Sequence, residues 1–247
     1  MTRNSAGLLL LLACSAFSLS AAELTLHYAG KTESVTVPER SPLSEAYAAL
    51  HFSPDADWSS ALIARTAPDQ SLKAAQATLL QNLHRLELQW QDNPTLVQSV
   101  QQMVTLVSQA PVAKRIPAKL DPDWVQLRPE FDPKLEGSYT LYLTPYAFKV
   151  QLAGLAGNQI LSIHEGSQLA DYLADAHYQT GAEKDFVYLI APEGQWSKMP
   201  VALWNRVNAE PSPGSVIFVG FDSALLPDDL LNLNEQIVSY LANRIPQ

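Results

Sequence analysis

The chain has 247 residues, 47% of them hydrophobic, which is enough to build one or two hydrophobic cores. It carries 25 acidic and 16 basic residues, and its formal net charge is −9. A protein this acidic repels polyanions, which excludes nucleic acid and anionic bilayers as general partners. A local basic patch can still bind a local anion.

Residues 1–22 are predicted to form a secretory signal peptide. Arg3 gives a positively charged start, a leucine-rich core follows, and small residues before Glu23 predict cleavage after Ala22. No later stretch approaches the roughly 18 apolar residues of a membrane-spanning helix. We therefore expect an exported protein without a transmembrane span.

The single cysteine allows a second interpretation of the same segment. The letters LLAC, which end at Cys14, resemble a lipobox, in which Cys14 would become the lipidated N-terminus of an outer-membrane lipoprotein. Leu12 is larger than the residue usual at its position, so ordinary cleavage is favoured. Cleavage after Ala22 would leave no cysteine, and the exported protein would then depend on its core alone for stability.

The first elements after the signal segment are those of an α+β domain. Residues 24–37 alternate apolar and polar side chains around Gly30, which predicts a β-hairpin. Ser41 as N-cap and Pro42 at the first helical position then predict a short helix that ends near Leu50.

An αα-hairpin is predicted at residues 68–111. Leucines recur at helical spacing over 71–91. Asn93 and Pro94 mark the start of a second helix, which Pro111 ends. Two antiparallel helices with a short link form such a hairpin, and we expect its apolar stripe to pack against the β-domains.

The second half of the chain returns to strands. Alternation at residues 137–143 closes the first domain, and Thr144 with Pro145 marks the boundary. Strands, a short helix and further strands follow, in the order of a β-grasp module. The predicted domains are a first one at 23–144 that contains the helical hairpin, a second one at 145–222, and a C-terminal amphipathic helix at 227–246.

Catalytic and metal-binding motifs are absent from the sequence. There is no Gly-x-Ser-x-Gly turn and no mature cysteine to act as a nucleophile. The five histidines are scattered and lack the spacing of metal ligands. We therefore expect no enzyme activity, no metal and no other cofactor.

The stretch PVAKRIPAKLDPDWV, residues 111–125, holds two carboxylates close together. Glycosidases use a pair of carboxylates across a sugar cleft, so Asp121 and Asp123 are candidates for such a pair. Asp-Pro-Asp is also a turn or helix-start sequence, in which aspartate caps free amides and proline presets φ. The second interpretation is favoured.

Arg115 is the stronger candidate in this stretch. Prolines on both sides restrict its backbone, and a guanidinium held in this way suits recognition of a carboxylate or phosphate. The alternative is an internal salt bridge to Asp121, Asp123 or another carboxylate of the protein. Lys119 is the second basic candidate.

Tryptophans are the other side chains expected at a sugar site, because a ring face stacks on pyranose C–H groups. Trp58, Trp124, Trp196 and Trp204 are available, and Trp204 is kept as a candidate ligand-binding residue. A place in the buried core is the more common outcome for each of them.

Several motifs in a fixed order carry a resemblance to a known family: RIPAKLDPDWV, GSYTLY, PEG followed by PVALWN, EPSPGS, and LNEQIV. They resemble the GfcC family of periplasmic proteins, encoded with genes for bacterial capsule and related exopolysaccharides. The resemblance implies two tandem β-grasp domains, a helical hairpin inserted in the first, and a C-terminal amphipathic helix. This arrangement is similar to the ligand-binding domains of Wza-type export channels.

The resemblance implies a pathway and no particular reaction. The expected function is that of a periplasmic accessory protein in capsule or exopolysaccharide assembly or export. Its expected partners are capsular polysaccharide or the export and assembly proteins. One alternative is a polysaccharide-modifying enzyme that uses Arg115 with Asp121 or Asp123. The other is an adaptor that docks an outer-membrane partner through the C-terminal helix. The oligomeric state is left open.

Overall fold

The computed structural model describes residues 21–246, which fold into two mixed β-sheets and their helices. The predicted signal segment lies outside the described residues, apart from Ala21 and Ala22. The α+β class predicted from the sequence is confirmed. The more specific β-grasp assignment stays a prediction.

The first sheet has the strand order β2-β1-β4-β3, with β1 and β4 parallel and the other pairs antiparallel. The elements of this half are β1 (Ala21–Tyr28), β2 (Lys31–Pro38), α1 (Leu43–Ala48), β3 (Leu62–Arg65), α2 (Gln70–Gln89), α3 (Pro94–Gln109), α4 (Pro122–Leu127) and β4 (Ser138–Leu143).

The second sheet has the order β6-β5-β9-β7-β8, and its β5 and β9 are again parallel. Its elements are β5 (Lys149–Gly154), β6 (Gln159–Ser162), α5 (Leu169–Leu173), β7 (Phe186–Ile190), β8 (Trp196–Pro200), β9 (Val216–Val219) and α6 (Leu233–Leu241).

In the first half of the chain, the turns and helix starts predicted from the sequence can be compared with the structure one by one. The predicted β-hairpin is confirmed, and its turn places Ala29 at φ 49° and Gly30 at φ 77°, as a two-residue type I′ turn requires. Asn93 caps α3 and Pro94 is its first residue, as predicted. The cap predicted for α1 is wrong, because Ser41 is buried and the helix begins at Leu43, after Pro42.

The αα-hairpin is inserted between β3 and β4 of the first sheet, yet it packs on the second. Its buried side chains belong to the same hydrophobic cluster as β5, β7, β9 and α6; they are Leu72, Leu79, Leu83, Leu86, Val100, Met103 and Val107. We expected the hairpin to pack against the β-domains, and the structure shows that it packs against the second sheet. An insertion of one sheet completes the core of the other.

The C-terminal helix is shorter than predicted. A 3₁₀ turn at Asp228–Leu230 precedes α6, which has nine residues, and its apolar side chains are buried between α2 and β7. The helix ends early because the last residues extend and pair with the linker between α3 and α4, residues 110–121, where Ile245 donates its N–H to the Pro111 carbonyl at 2.8 Å. Across residues 21–246, no helix is both long and apolar enough to cross a membrane.

Replacing Leu83 on α2 by alanine tests the role of the hairpin in the second core. Leu83 is fully buried, so Leu83→Ala is expected to lower the free energy of unfolding by about 2–5 kcal/mol. Leu88→Ala is the matched control, because Leu88 lies on the same helix and is 54% exposed. Urea unfolding measures both variants, and equal losses would contradict this packing.

Candidate ligand site between the two sheets

The linker that leaves the αα-hairpin is held between the C-terminal tail and the first sheet. Ala113 donates its N–H to the Asn243 carbonyl at 3.0 Å, and Ile116 donates to the Ile63 carbonyl of β3 at 2.9 Å. The prolines predicted to stiffen this segment therefore act on a backbone that is also paired on both sides.

Arg115 lies at the centre of this linker and joins three parts of the chain. Its Nη1 donates to the Ala61 carbonyl at 2.8 Å, just before β3. Its Nη2 donates to the Pro192 carbonyl at 3.1 Å, in the turn between β7 and β8. Its backbone N–H donates to Oδ1 of Asn243 at 3.2 Å. The guanidinium thus spans the two sheets through backbone carbonyls.

The salt bridge considered for Arg115 is not the arrangement found. Its side-chain partners are carbonyl oxygens, and neither Asp121 nor Asp123 is among them. Asp121 instead caps α4, and its Oδ1 accepts the N–H of Asp123 at 2.9 Å, in agreement with the turn interpretation. Lys119 is exposed on the segment between. The structure therefore does not assemble Arg115 with these carboxylates.

A second arginine, Arg244, lies beside the first. Its Nη2 donates to the Gly214 carbonyl. Burial and the positive charge of Arg115 lower the pKa of Arg244 to about 10, against a smaller opposing effect of Glu193. Burial also lowers the pKa of Arg115, and the charge of Glu193 again opposes this. Both guanidinium groups stay protonated at neutral pH.

A cleft of about 830 Å³ opens next to these arginines, between the two sheets and under α3. Arg244 is part of its wall, together with Pro192 and Gly214. Amide and hydroxyl side chains make up much of the remaining polar lining, among them Ser60, Gln102, Thr105, Gln109, Thr144 and Gln151. No sequence pattern predicts this cleft, because its wall comes from six separate stretches of chain.

Two exposed rings lie on the segment that lines one side of the cleft. Tyr146 and Phe148 meet edge to face, with ring centroids 5.0 Å apart. Phe148 is 63% exposed, and the neighbouring residues Pro145, Ala147 and Lys149 are part of the cleft wall. Sequence reasoning considered only tryptophans as sugar-stacking rings and missed this pair.

The expectation that the tryptophans are buried is wrong for three of the four. Trp204 is 74% exposed in the loop between β8 and β9 and is not part of the cleft wall. Trp124 and Trp196 are also exposed, on α4 and on the edge strand β8. Only Trp58 packs against the first core. A loop or a sheet edge offers no second layer that could cover a large ring.

Metal binding has no visible basis in this part of the chain. Residues 21–246 contain no group of three or more histidine, cysteine or acidic side chains placed to hold an ion.

The paired arginines, the inserted hairpin and the two sheets belong to regions with known relatives. Residues 20–146 match the family described as capsule biosynthesis GfcC, N-terminal, and residues 156–246 match capsule biosynthesis GfcC C-terminal. The chain belongs to the GfcC capsule biosynthesis family. The resemblance inferred from the sequence motifs is thereby confirmed.

A curated relative is the uncharacterized protein YjbG of Escherichia coli (strain K12). The two sequences are 33% identical over 159 residues, which cover 63% of this chain and 63% of the relative. The matched part of the chain thus spans less than two thirds of that relative's length.

Alanine at Gly194 tests how closely the turn between β7 and β8 holds Arg115. An added Cβ would lie 2.6 Å from the Ala242 carbonyl and 2.8 Å from Nε of Arg115, at a φ of +90°. Gly194→Ala should therefore lower the free energy of unfolding by clearly more than the ~1 kcal/mol expected for the backbone conformation alone.

Gly166→Ala is the control for that experiment. Gly166 has a φ of +79°, and its added Cβ meets nothing within 4 Å. Thermal or urea unfolding compares the two variants, and the same loss of stability in both would show that the Arg115 contact carries no weight.

Proposed function

We propose that this chain is an extracytoplasmic accessory protein of capsule or exopolysaccharide assembly or export, and that it binds a stretch of glycan in the cleft between its two sheets. Membership of the capsule biosynthesis family supports the pathway. The observation that carries the binding role is the cleft of about 830 Å³ with its amide and hydroxyl lining.

The chemistry of the lining fits sugar hydroxyl groups. Amides and hydroxyls both donate and accept hydrogen bonds, as does a sugar hydroxyl, so they can fix its orientation. The volume lies within the roughly 300–1,000 Å³ usual for small-ligand sites. The exposed rings of Tyr146 and Phe148 offer an apolar surface on which a pyranose ring can lie as the chain leaves the cleft.

The enzyme alternative receives no support from the geometry of the described residues. It requires Arg115 next to Asp121 or Asp123, and these side chains have separate partners. The function proposed here is therefore binding without chemistry on the glycan.

The adaptor alternative requires the apolar face of α6 to be available to a partner. Leu233, Ile237, Val238 and Leu241 are already buried, in contact with the rest of the second core. Docking through this face would expose that core, so the cleft is the better supported binding site.

A periplasmic location is part of the same proposal. The predicted cleavage site after Ala22 lies within β1, where Ala22 is fully buried and pairs with Val37. A mature chain that begins at Glu23 would lose this pair, whereas processing upstream of Ala21 would keep the whole strand. Mass spectrometry of the mature N-terminus distinguishes these two sites from lipidation at Cys14.

Binding of short oligosaccharides by calorimetry tests the proposed site. Gln109→Ala and Phe148→Ala remove a polar wall group and a ring whose side chains have no hydrogen bond in the described structure, so each should weaken binding severalfold without loss of stability. Gln98→Ala on the same helix is the matched control for Gln109→Ala, because Gln98 is not part of the cleft wall. Trp204→Ala is the control for Phe148→Ala, because Phe148 adjoins the wall residues Ala147 and Lys149, whereas Trp204 adjoins no wall residue.

Two results would contradict the proposal. One is that no neutral or acidic oligosaccharide of capsule type binds to the intact protein. The other is that the control variants weaken binding as much as the cleft variants do. Release of new reducing ends from the oligosaccharide would support the enzyme alternative instead.

A further inference from the structure

Two partly buried positive charges lie side by side in the cleft region, with no carboxylate of the described residues in contact with them. Between residues 21 and 246, no carboxylate oxygen forms an ion pair within 4.0 Å of Arg115 or Arg244, although five other ion pairs are present. Glu193 is the acidic residue whose charge favours both guanidinium groups, and it lies exposed at a distance beyond this limit. The positive charge of Arg115 also disfavours the protonated form of Arg244.

The hydrogen bonds of the two groups are incomplete as well. Nε of Arg115 and Nη1 of Arg244 are buried and have no acceptor among the described residues. A buried cationic N–H without an acceptor is costly, and proteins normally pair such a charge with an anion. The carbonyls of Ala61, Pro192 and Gly214 supply dipoles to these groups but no negative charge.

The charged side chains of the cleft wall also favour an anionic ligand. Arg244 and the exposed Lys149 are cationic, and Asp57 is the acidic side chain of the wall. The carboxylate of Asp57 already accepts hydrogen bonds from the N–H and hydroxyl of Ser59, at 2.9 and 2.6 Å. In a protein of net charge −9, this wall is a local region of positive charge.

We infer that the cleft selects an acidic glycan, and that its anionic substituent, a carboxylate or a phosphate, lies at the Arg244 end of the cleft with Lys149 as the second cation. This inference rests on the proposed function, since it names the class of glycan for that same site. Arg115 acts as a positioning residue: it holds the turn at Pro192 and adds its charge, without lining the cleft itself.

A purely structural role for Arg244 is the competing explanation. Its bond to the Gly214 carbonyl holds the turn before β9, so loss of the side chain can lower stability with no ligand involved. The test must therefore compare the affinities of the intact protein for two ligands, and also the affinities of several variants for the same ligand.

The experiment measures affinity for a uronate-containing oligosaccharide and for the same oligosaccharide with its carboxyl group reduced to an alcohol. The intact protein should bind the uronate form about tenfold or more tightly, because a charge-assisted hydrogen bond contributes more than a neutral one. The preference should shrink as salt concentration rises. A phosphorylated oligosaccharide and inorganic phosphate, tested in parallel, distinguish the two kinds of anion.

Variants then locate the anion. Lys149→Gln and Arg244→Gln should each reduce the ratio of the affinities for the acidic and the reduced oligosaccharide, whatever the change in absolute affinity. Lys73→Gln, on the exposed side of α2, removes the same charge away from the cleft and should retain the preference. If Arg244→Gln fails to fold, Lys149→Gln and the salt dependence of the intact protein still test whether the cleft selects the acidic oligosaccharide.

The outcomes separate the two proposals. Equal affinity for the acidic and reduced oligosaccharides, with Gln109→Ala weakening both, would overturn the selection of acidic glycans and leave glycan binding intact. Binding of neither would overturn both. A preference that Lys73→Gln lowers as much as Lys149→Gln does would also overturn the inference, because it would reflect overall charge.

Discussion

The guanidinium of Arg115 is the interaction on which the arrangement of the two sheets depends most directly. It contacts the connection before β3 in one sheet and the turn between β7 and β8 in the other. Both contacts are to backbone carbonyls, so they fix the path of the chain rather than a side-chain pair. Gly194 belongs to the same constraint, because only a residue without a Cβ lets the turn approach Arg115 so closely.

The inserted hairpin makes this constraint cooperative with the rest of the fold. The chain leaves the first sheet, builds part of the second core with α2 and α3, and returns through the linker that carries Arg115. The helix α6 is buried against α2, and the C-terminal tail that follows it pairs with that linker. Neither sheet can therefore move far without disturbing the other's core, and the cleft between them is held by the fold itself.

Much of the fold was accessible from the sequence because its signals are local. The hairpin turn at Gly30 and the start of α3 at Asn93 and Pro94 depend on backbone preferences of a few neighbouring residues. The prolines around Arg115 predict a stiff backbone there. The partners of Arg115 were not predictable, since they are the backbone carbonyls of Ala61 and Pro192, and every residue carries such a carbonyl.

The candidate site was less predictable than the fold for a related reason. Its wall combines the end of α3, the segment before β5, and the C-terminal tail, which come together only through the packing of the hairpin on the second sheet. Arg244 lies beyond the end of α6, and no local pattern in the sequence relates it to this wall. The exposure of Trp204 likewise reflects its place in a loop, which no periodicity reveals.

Hydrogen exchange on an Arg115→Met variant tests whether this guanidinium joins the two sheets, since methionine keeps an apolar stem but removes the donors. We expect faster amide exchange in the linker, in the turn around Gly194 and in the tail near Ile245, while the parallel strand pairs of both sheets keep their protection. Unchanged exchange at these three places, or a uniform increase across both sheets, would contradict the view that this guanidinium joins them.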